Sequence, residues 1–258
     1  MLWPISVASV LALQATAPPA LLDQILGEIE GKSAAHPVLV FDLDSTLFNN
    51  GPRTRQILIE VALEDETLRP LHPKLQALPN ELPYLVTDTL KLLGLEGGDQ
   101  SDRFVKGWLQ RFFTDTYCVF DQPYLGAVEF VNEAARRGAT VVYLTGRDAP
   151  RMAVGTTESL RRSGFPIATP GALLIMKPAS QMEDEAFKRT ALDAIHRLGT
   201  VVATFENEPR NANLFAERWP KATHVFLTTN SDPQKVVPLA KAIRKIPDYR
   251  GFAKKTAG

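Results

Sequence analysis

Two carboxylates, Asp42 and Asp44, close the apolar run Val38-Leu39-Val40-Phe41 with one residue between them. Side chains at i and i+2 leave a strand on the same side, so the pair shares one small volume just past the strand's C-terminal end. Carboxylates that close repel each other; the arrangement holds when a cation lies between them or when one keeps a proton. A plain strand-to-helix turn capped by Asp44 or Ser45 is the alternative. The unbroken apolar run argues for a central parallel strand, and ligands in such sheets bind beyond the carboxyl ends of the strands.

Later apolar runs also end in polar groups. The run 139–145 ends in Thr145-Gly146-Arg147, where a hydroxyl, an approachable glycine backbone and a following helix suit a phosphate-like anion. The run 172–176 is followed by Lys177, and Lys188, early in the next helical pattern, is placed to reach back over the strand ends. The run 201–205 leads into Glu206-Asn207-Glu208-Pro209-Arg210-Asn211, whose oxygens suit Mg²⁺. Taken singly, each is a polar turn or a solvated lysine. Together they converge on one edge of one sheet.

The elements that position these groups follow from periodicity. Helical patterns at 127–137, 152–163, 184–198 and 211–218 alternate with the strands, and a further strand is expected at 223–227. Strand and helix in alternation imply an α/β fold, a doubly wound parallel sheet covered on both faces. From Phe48 to Asp121 the alternation stops: helices are expected at 54–64, 82–93 and 101–116, interrupted by Pro70, Pro73, Pro79 and Gly97-Gly98. A structureless loop of that length is improbable in a compact domain. The expected organisation is an N-terminal segment (1–36) with a peripheral helix at 21–30, a core domain (37–50 and 117–258), and a helical insertion (51–116) hanging over the aspartates. Arg53, Arg55, Tyr84, Trp108 and Phe112 lie in that insertion, where they read as solvated arginines and the filling of a small helical core.

Composition narrows the partners. The chain has 258 residues, 45% of them hydrophobic, enough for a full core. Its 29 basic and 29 acidic side chains cancel, leaving no bulk field to recruit nucleic acid or an anionic membrane, so a small molecule is the expected partner. The single cysteine, Cys118, rules out an internal disulfide and fits a reducing, cytoplasmic setting. Apolar residues at 5–13 and the small-residue run Ala15-Thr16-Ala17 resemble an export signal, but the first basic residue is Lys32; export is the alternative. No stretch approaches the length of a membrane span.

In order and content these segments resemble the haloacid dehalogenase-like superfamily. Asp42-Leu43-Asp44-Ser45-Thr46 looks like its first motif, Thr145 its second, Lys188 its third and the Glu206 loop its fourth, over residues 37 to 228; the insertion is similar to the family's helical cap of the first type. The resemblance implies an Mg²⁺-dependent phosphatase that hydrolyses a small phosphorylated metabolite through an aspartyl phosphate. Asp42 would attack phosphorus, and Asp44 would protonate the leaving alkoxide and then activate water. Mg²⁺ would be held by Asp42, the main-chain carbonyl of Asp44 and Glu206, while Thr145 and Lys188 neutralise phosphate oxygens. Asp44 also separates the chain from the superfamily's dehalogenases and transport ATPases. The fourth motif departs from the family pattern: Glu206 stands where aspartate is usual, with Asn207, Glu208 and Asn211 nearby. A phosphomutase or other phosphotransferase, or a binding or regulatory protein with weakened catalysis, is the alternative. Oligomeric state stays open.

Overall fold

The computed structural model describes residues 18–31 and 35–253; the expected export signal lies outside them. Its first strand, β1 (Pro37–Phe41), is apolar on both faces, and period-two geometry sends its side chains to two different cores. Leu39 and Phe41 join the cluster on one face of the sheet, Val38 and Val40 that on the other. The longer β4 (Thr140–Asp148) divides in the same way, Val141 and Tyr143 to one side, Val142 and Leu144 to the other. A sheet buried on both faces has to be covered by crossover helices, which is why the strands run parallel.

Between β1 and β4 a two-residue antiparallel ladder, β2 (Phe48–Asn49) with β3 (Gln122–Pro123), carries the chain out of the sheet layer and back. After β4 come β5 (Ala172–Lys177), β6 (Thr200–Glu206), β7 (Thr223–Leu227) and β8 (Arg244–Ile246). The main sheet has the order β5-β4-β1-β6-β7-β8, and every pairing in it is parallel. The chain builds outward from β1 through β4 to β5, then crosses back to β6 on the other side. That reversal puts the topological switch point at the C-terminal ends of β1 and β6, where Asp42 and Glu206 emerge. The last strand has no counterpart in the sequence reading: two of its three residues are exposed and charged, so no alternation marks it.

Helix α1 (Pro18–Glu30) starts three residues before the expected helix. Its stripe Leu21, Leu22, Ile25, Leu26 and Ile29 is buried in the larger core cluster, so it is an integral part of that layer. Residues 51–118 fold as α2 (Gly51–Glu64), α3 (His72–Gln76), α4 (Val86–Lys91), α5 (Asp99–Phe112) and α6 (Asp115–Cys118) around an apolar cluster of their own, with Ile57, Leu58, Leu75, Leu90 and Phe104 at its centre. α4 is far shorter than the expected 82–93, and the expected 101–116 breaks at Phe113 into α5 and α6. The crossover helices are α7 (Ala127–Arg136), α8 (Ala149–Ser163), α9 (Asp184–His196) and α10 (Pro209–Arg218), with a terminal α11 (Arg250–Ala253).

The helical segment is pressed onto the sheet layer where α6 meets α8. A Cβ at Gly155 would fall 2.1 Å from the carbonyl oxygen of Asp115, so only glycine permits the approach. The Gly155 amide donates to Asp115 Oδ1 at 2.6 Å in the same contact. Among the described residues no helix is long and apolar enough to cross a membrane.

Candidate active site

Past β1 the chain makes a tight turn in which the amides of Thr46, Leu47 and Phe48 all donate to the carbonyl of Leu43, while Ser45 adopts the left-handed region at φ 58°. The Asp42 amide still donates to Phe205 of β6 at 3.0 Å, so its side chain is fixed by the sheet and sits at the floor of a cavity of about 630 Å³. Asp44, one residue into the turn, lines the same cavity with a partly exposed side chain.

Lys188 projects from the second turn of α9 and joins two strand ends. Its Nζ donates to Asp42 Oδ1 and to Glu206 Oε2, both at 2.7 Å, and all three side chains are buried. The other Glu206 oxygen accepts the backbone amides of Asn207 and Glu208, at 3.1 and 3.0 Å. Burial pushes the Asp42 carboxyl up to about 7; Lys188 pulls it down, but Glu206 and Asp44 push it up. Glu206 is raised by burial as well, against the pull of Lys188. Lys188 stays charged: the two carboxylates overcome the effect of burial and raise it.

The second carboxylate has a different environment. Arg147, at the end of β4, grips Asp44 with two bonds, Nε to Oδ2 at 2.9 Å and Nη2 to Oδ1 at 2.6 Å. The same Nη2 reaches Asp121 Oδ2 at 2.7 Å, and Nη1 donates to Thr156 Oγ1 at 3.2 Å. Arg53, fully buried on α2, completes a closed set with bonds to both Asp121 oxygens and an Nη2 3.5 Å from Asp44 Oδ1. Asn50 donates to Asp121 as well, at 2.9 Å. Burial by itself would raise Asp44, but Arg147, then Arg53 and Asn50, outweigh it and hold the carboxyl at about 2.

Of the residues expected at the site, Asp42, Asp44, Gly146, Lys188 and Glu206 share this cavity, joined by Lys177, Glu208 and Asn211. Thr145 does not line it. Its side chain is fully buried and Oγ1 accepts the Arg147 amide at 3.2 Å, so it shapes the turn that aims Arg147. Gly146 lines the cavity, but a carboxylate already lies against it: a Cβ there would meet Asp184 Oδ2 at 2.6 Å. Asp184 is paired with Lys177 at 2.6 Å. Asn207 lines the cavity while its side chain ties two loops, accepting from Thr46 Oγ1 at 2.9 Å and donating to the Asn230 carbonyl at 2.6 Å.

The insertion supplies more of the wall than its sequence promised. Arg53, Tyr84, Trp108 and Phe112 all line the cavity, with Phe113 and Leu82 beside them. Arg55 does not; it donates to the Leu78 carbonyl at 2.9 Å. Sequence reasoning missed the Arg53–Asp121–Arg147 set. Its one local signal is an arginine directly after the Thr145-Gly146 strand end.

The donor set can be tested against Mg²⁺. Among the described residues, no three His, Cys, Asp or Glu side chains form a metal cluster. Asp44's carboxylate, saturated by arginine, cannot contribute, so the expected role there is left to its main-chain carbonyl. Asp42 lines the cavity with Oδ1 held by Lys188, and Glu206 lines it with Oε2 held by the same ammonium and Oε1 by two backbone amides. Mg²⁺ takes one or two carboxylates and completes its shell with phosphate oxygens and water; Asp42 fits that demand, and Glu206, with both oxygens engaged, would join it only by exchanging Lys188 for the ion.

No protein-family model and no curated protein matches the sequence. Solved structures do. A protein from Burkholderia xenovorans described as a haloacid dehalogenase-like hydrolase aligns with a TM-score of 0.50 at 14% identity, over 86% of this chain and 96% of its own. Protein tyrosine kinase A of Mycobacterium tuberculosis aligns equally well, at 0.50 and 10% identity, over 86% of this chain and 98% of its own. A class C acid phosphatase from Bacillus anthracis gives 0.42 at 15% identity, over 77% of this chain; the chain spans 66% of that phosphatase. The fold is the haloacid dehalogenase-like one. The first two neighbours carry different activities in their names, so likeness at this level speaks for architecture and leaves the chemistry to the site.

Proposed function

We propose that the protein is a phosphatase that hydrolyses a small phosphate monoester through a phosphorylated Asp42. The observation that carries this reading is Asp42 itself: a buried carboxylate at the switch point of the sheet that lines the cavity, with one oxygen held by Lys188 at 2.7 Å. A carboxylate attacks phosphorus without an activating base. Asp42 Oδ2 forms the new oxygen–phosphorus bond as the bond to the leaving alkoxide breaks. Lys188 offsets the charge on the phosphoryl oxygens and, by staying bound to Glu206, keeps Asp42 aimed. Asp44 is ionised while Arg147 holds both of its oxygens, so it can take up a proton, pass it to the departing oxygen and later accept one from the attacking water only when substrate binding makes Arg147 release one oxygen. Mg²⁺, held by Asp42 and Glu206, would supply charge neutralisation between two anions that must meet. The helices of 51–118 act as the cap, excluding water from the cavity and contacting the leaving group.

A second reading, a protein that binds a phosphorylated ligand without turning it over, is favoured by one observation. Asp44 has both oxygens engaged by a buried arginine, and catalysis needs one of them free. Release of inorganic phosphate from a panel of monoesters, with and without Mg²⁺, separates the two. In the phosphatase reading Asp42→Asn lowers kcat by at least about 1,000-fold while the variant unfolds at an unchanged urea midpoint. Near wild-type kcat in that variant would sink the mechanism, and no release by the unmodified protein would pass the site to the binding reading.

A further inference from the structure

The cavity is far larger than a phosphate group. At about 630 Å³ it offers room for roughly twenty waters, and a phosphate of five heavy atoms at Asp42 and Lys188 leaves most of it to whatever the phosphate is attached to. Its lining combines the ionic groups at the strand ends with aromatic side chains from the helical insertion. Trp108 and Phe112 stack at 4.3 Å with their planes 27° apart. Phe113 stands edge-on to both, at 5.9 and 5.0 Å.

These three rings do more than fill the insertion's interior. Phe113 is 36% exposed at the point where α5 ends, and the Arg151 guanidinium lies over it, 5.6 Å from its centre. Tyr84 comes from a separate loop and is 44% exposed. It lines the same cavity as Asp44, Asp184 and Glu208, and burial together with these negative charges and that of Asp232 pushes its hydroxyl pKa upward. Exposed aromatic rings from two separate segments therefore border the same cavity as Asp42 and Lys188. Rings of this kind favour a flat π surface over a flexible chain, because offset stacking and edge contacts add to the area buried.

We propose that the alcohol portion of the substrate is a planar aromatic or heteroaromatic group, and that Tyr84 and Phe113 are specificity-determining residues for it. The inference deepens the phosphatase reading and rests on it for turnover, but not for binding. Benzyl and hexyl phosphate make the comparison, because both are esters of primary alcohols of nearly equal acidity; a rate difference then reports recognition of the ring, not an easier departure.

The expected result is a kcat/KM at least about tenfold higher for benzyl phosphate, with the benzyl-to-hexyl ratio lowered several-fold in Tyr84→Ala and in Phe113→Ala. Both positions are exposed, so neither truncation opens a hole in the core. Equal kcat/KM for the two esters, or a ratio untouched by both substitutions, overturns the proposal while leaving the phosphatase reading intact. Calorimetric titration with benzylphosphonate and hexylphosphonate, which cannot be hydrolysed at that position, decides the matter even without turnover. A benzyl preference of about tenfold that falls in the same two variants supports the proposal, and equal affinity, or no binding of either, refutes it.

Discussion

Two ionic clusters grow from the same strand end, two residues apart, and their charge counts differ. Around Asp42 there are two carboxylates and one ammonium, Asp42 and Glu206 against Lys188. Around Asp44 there are two carboxylates and two guanidinium groups, Asp44 and Asp121 against Arg53 and Arg147. The first is short of positive charge, and all three of its side chains line the cavity, which the second reaches through Asp44, Arg53 and Arg147. The second is balanced, and three of its four side chains are almost completely buried. The difference teaches which cluster is poised for a ligand and which is a strut. Arg53 lies on α2 and Asp121 just before β3, at the two crossings between the sheet layer and the helical segment, so the balanced cluster ties both crossings to Asp44 and β4.

The largest effect expected from this comparison is in the strut. Arg147→Met keeps most of the side-chain volume but leaves Asp44 and Asp121 facing each other with one guanidinium between them. Breaking a buried pair in this way costs about 3–5 kcal/mol, so the urea midpoint should fall steeply. A loss below about 1 kcal/mol would show that water or rearrangement satisfies those carboxylates, and the strut reading would fail.

Lys188→Met is the matching test at the other cluster, and it should cost less, about 2–3 kcal/mol. Asp42 borders the cavity, where water can reach it, and its carboxyl is already pushed up to about 7, so it can take a proton instead of remaining an unpaired charge. Turnover should be lost in the same variant. If Lys188→Met destabilises as much as Arg147→Met, the two clusters are both structural and the contrast drawn between them collapses.

The contrast also separates what the sequence makes legible from what it does not. Asp42, Lys188 and Glu206 can be read because each is announced locally, by a polar residue ending an apolar run or beginning a helix, and the sheet topology does the rest. The strut cannot be read in that way. Arg147 and Asp44 are 103 residues apart, Arg53 and Asp121 are 68 apart, and an arginine on an amphipathic helix has the pattern of a solvated one. Tyr84 and Phe113 stay ambiguous for a related reason, since periodicity cannot say which face of a small helical layer turns toward a cavity. The strand β8, with exposed charges at two of three positions, carries no alternation to find.

A smaller effect concerns the metal. Glu206→Gln removes a negative charge from the acid-rich cluster yet retains the side-chain shape and an oxygen that can accept the Asn207 and Glu208 amides. Apparent Mg²⁺ affinity in the phosphatase assay should weaken about 10- to 100-fold, with activity recovering in part at high Mg²⁺. Identical titration curves for the two proteins would remove Glu206 from the metal's surroundings and leave Asp42 as its sole carboxylate. The same result would count against reading this cluster as the poised one.

The smallest effect tests whether neutral pairing differs from both ionic sets. On β7, next to β6, His224 is buried with Nδ1 2.8 Å from Thr204 Oγ1 and Nε2 3.0 Å from the Trp219 carbonyl, so Nε2 carries the proton and Nδ1 accepts from threonine. Burial lowers its pKa below 6.5, against a small opposing pull from the carbonyl. Between that lowered value and 6.5 the unfolded chain binds more protons than the folded one, so the histidine's stabilisation is complete above 6.5 and is lost as pH falls through this window. His224→Gln cannot titrate and offers an acceptor and a donor in its place. Measured as a difference from wild type, its stability deficit should therefore shrink on acidification from pH 7 to pH 5. Titrations shared by both proteins, Asp42 and Glu206 included, cancel in that difference. A deficit that stays constant across the range would mean His224 is not held neutral. A deficit that grows on acidification would mean the substitution has disturbed the ionic floor two residues further along β6, and that the neutral pair and the acid-rich cluster behave as one unit.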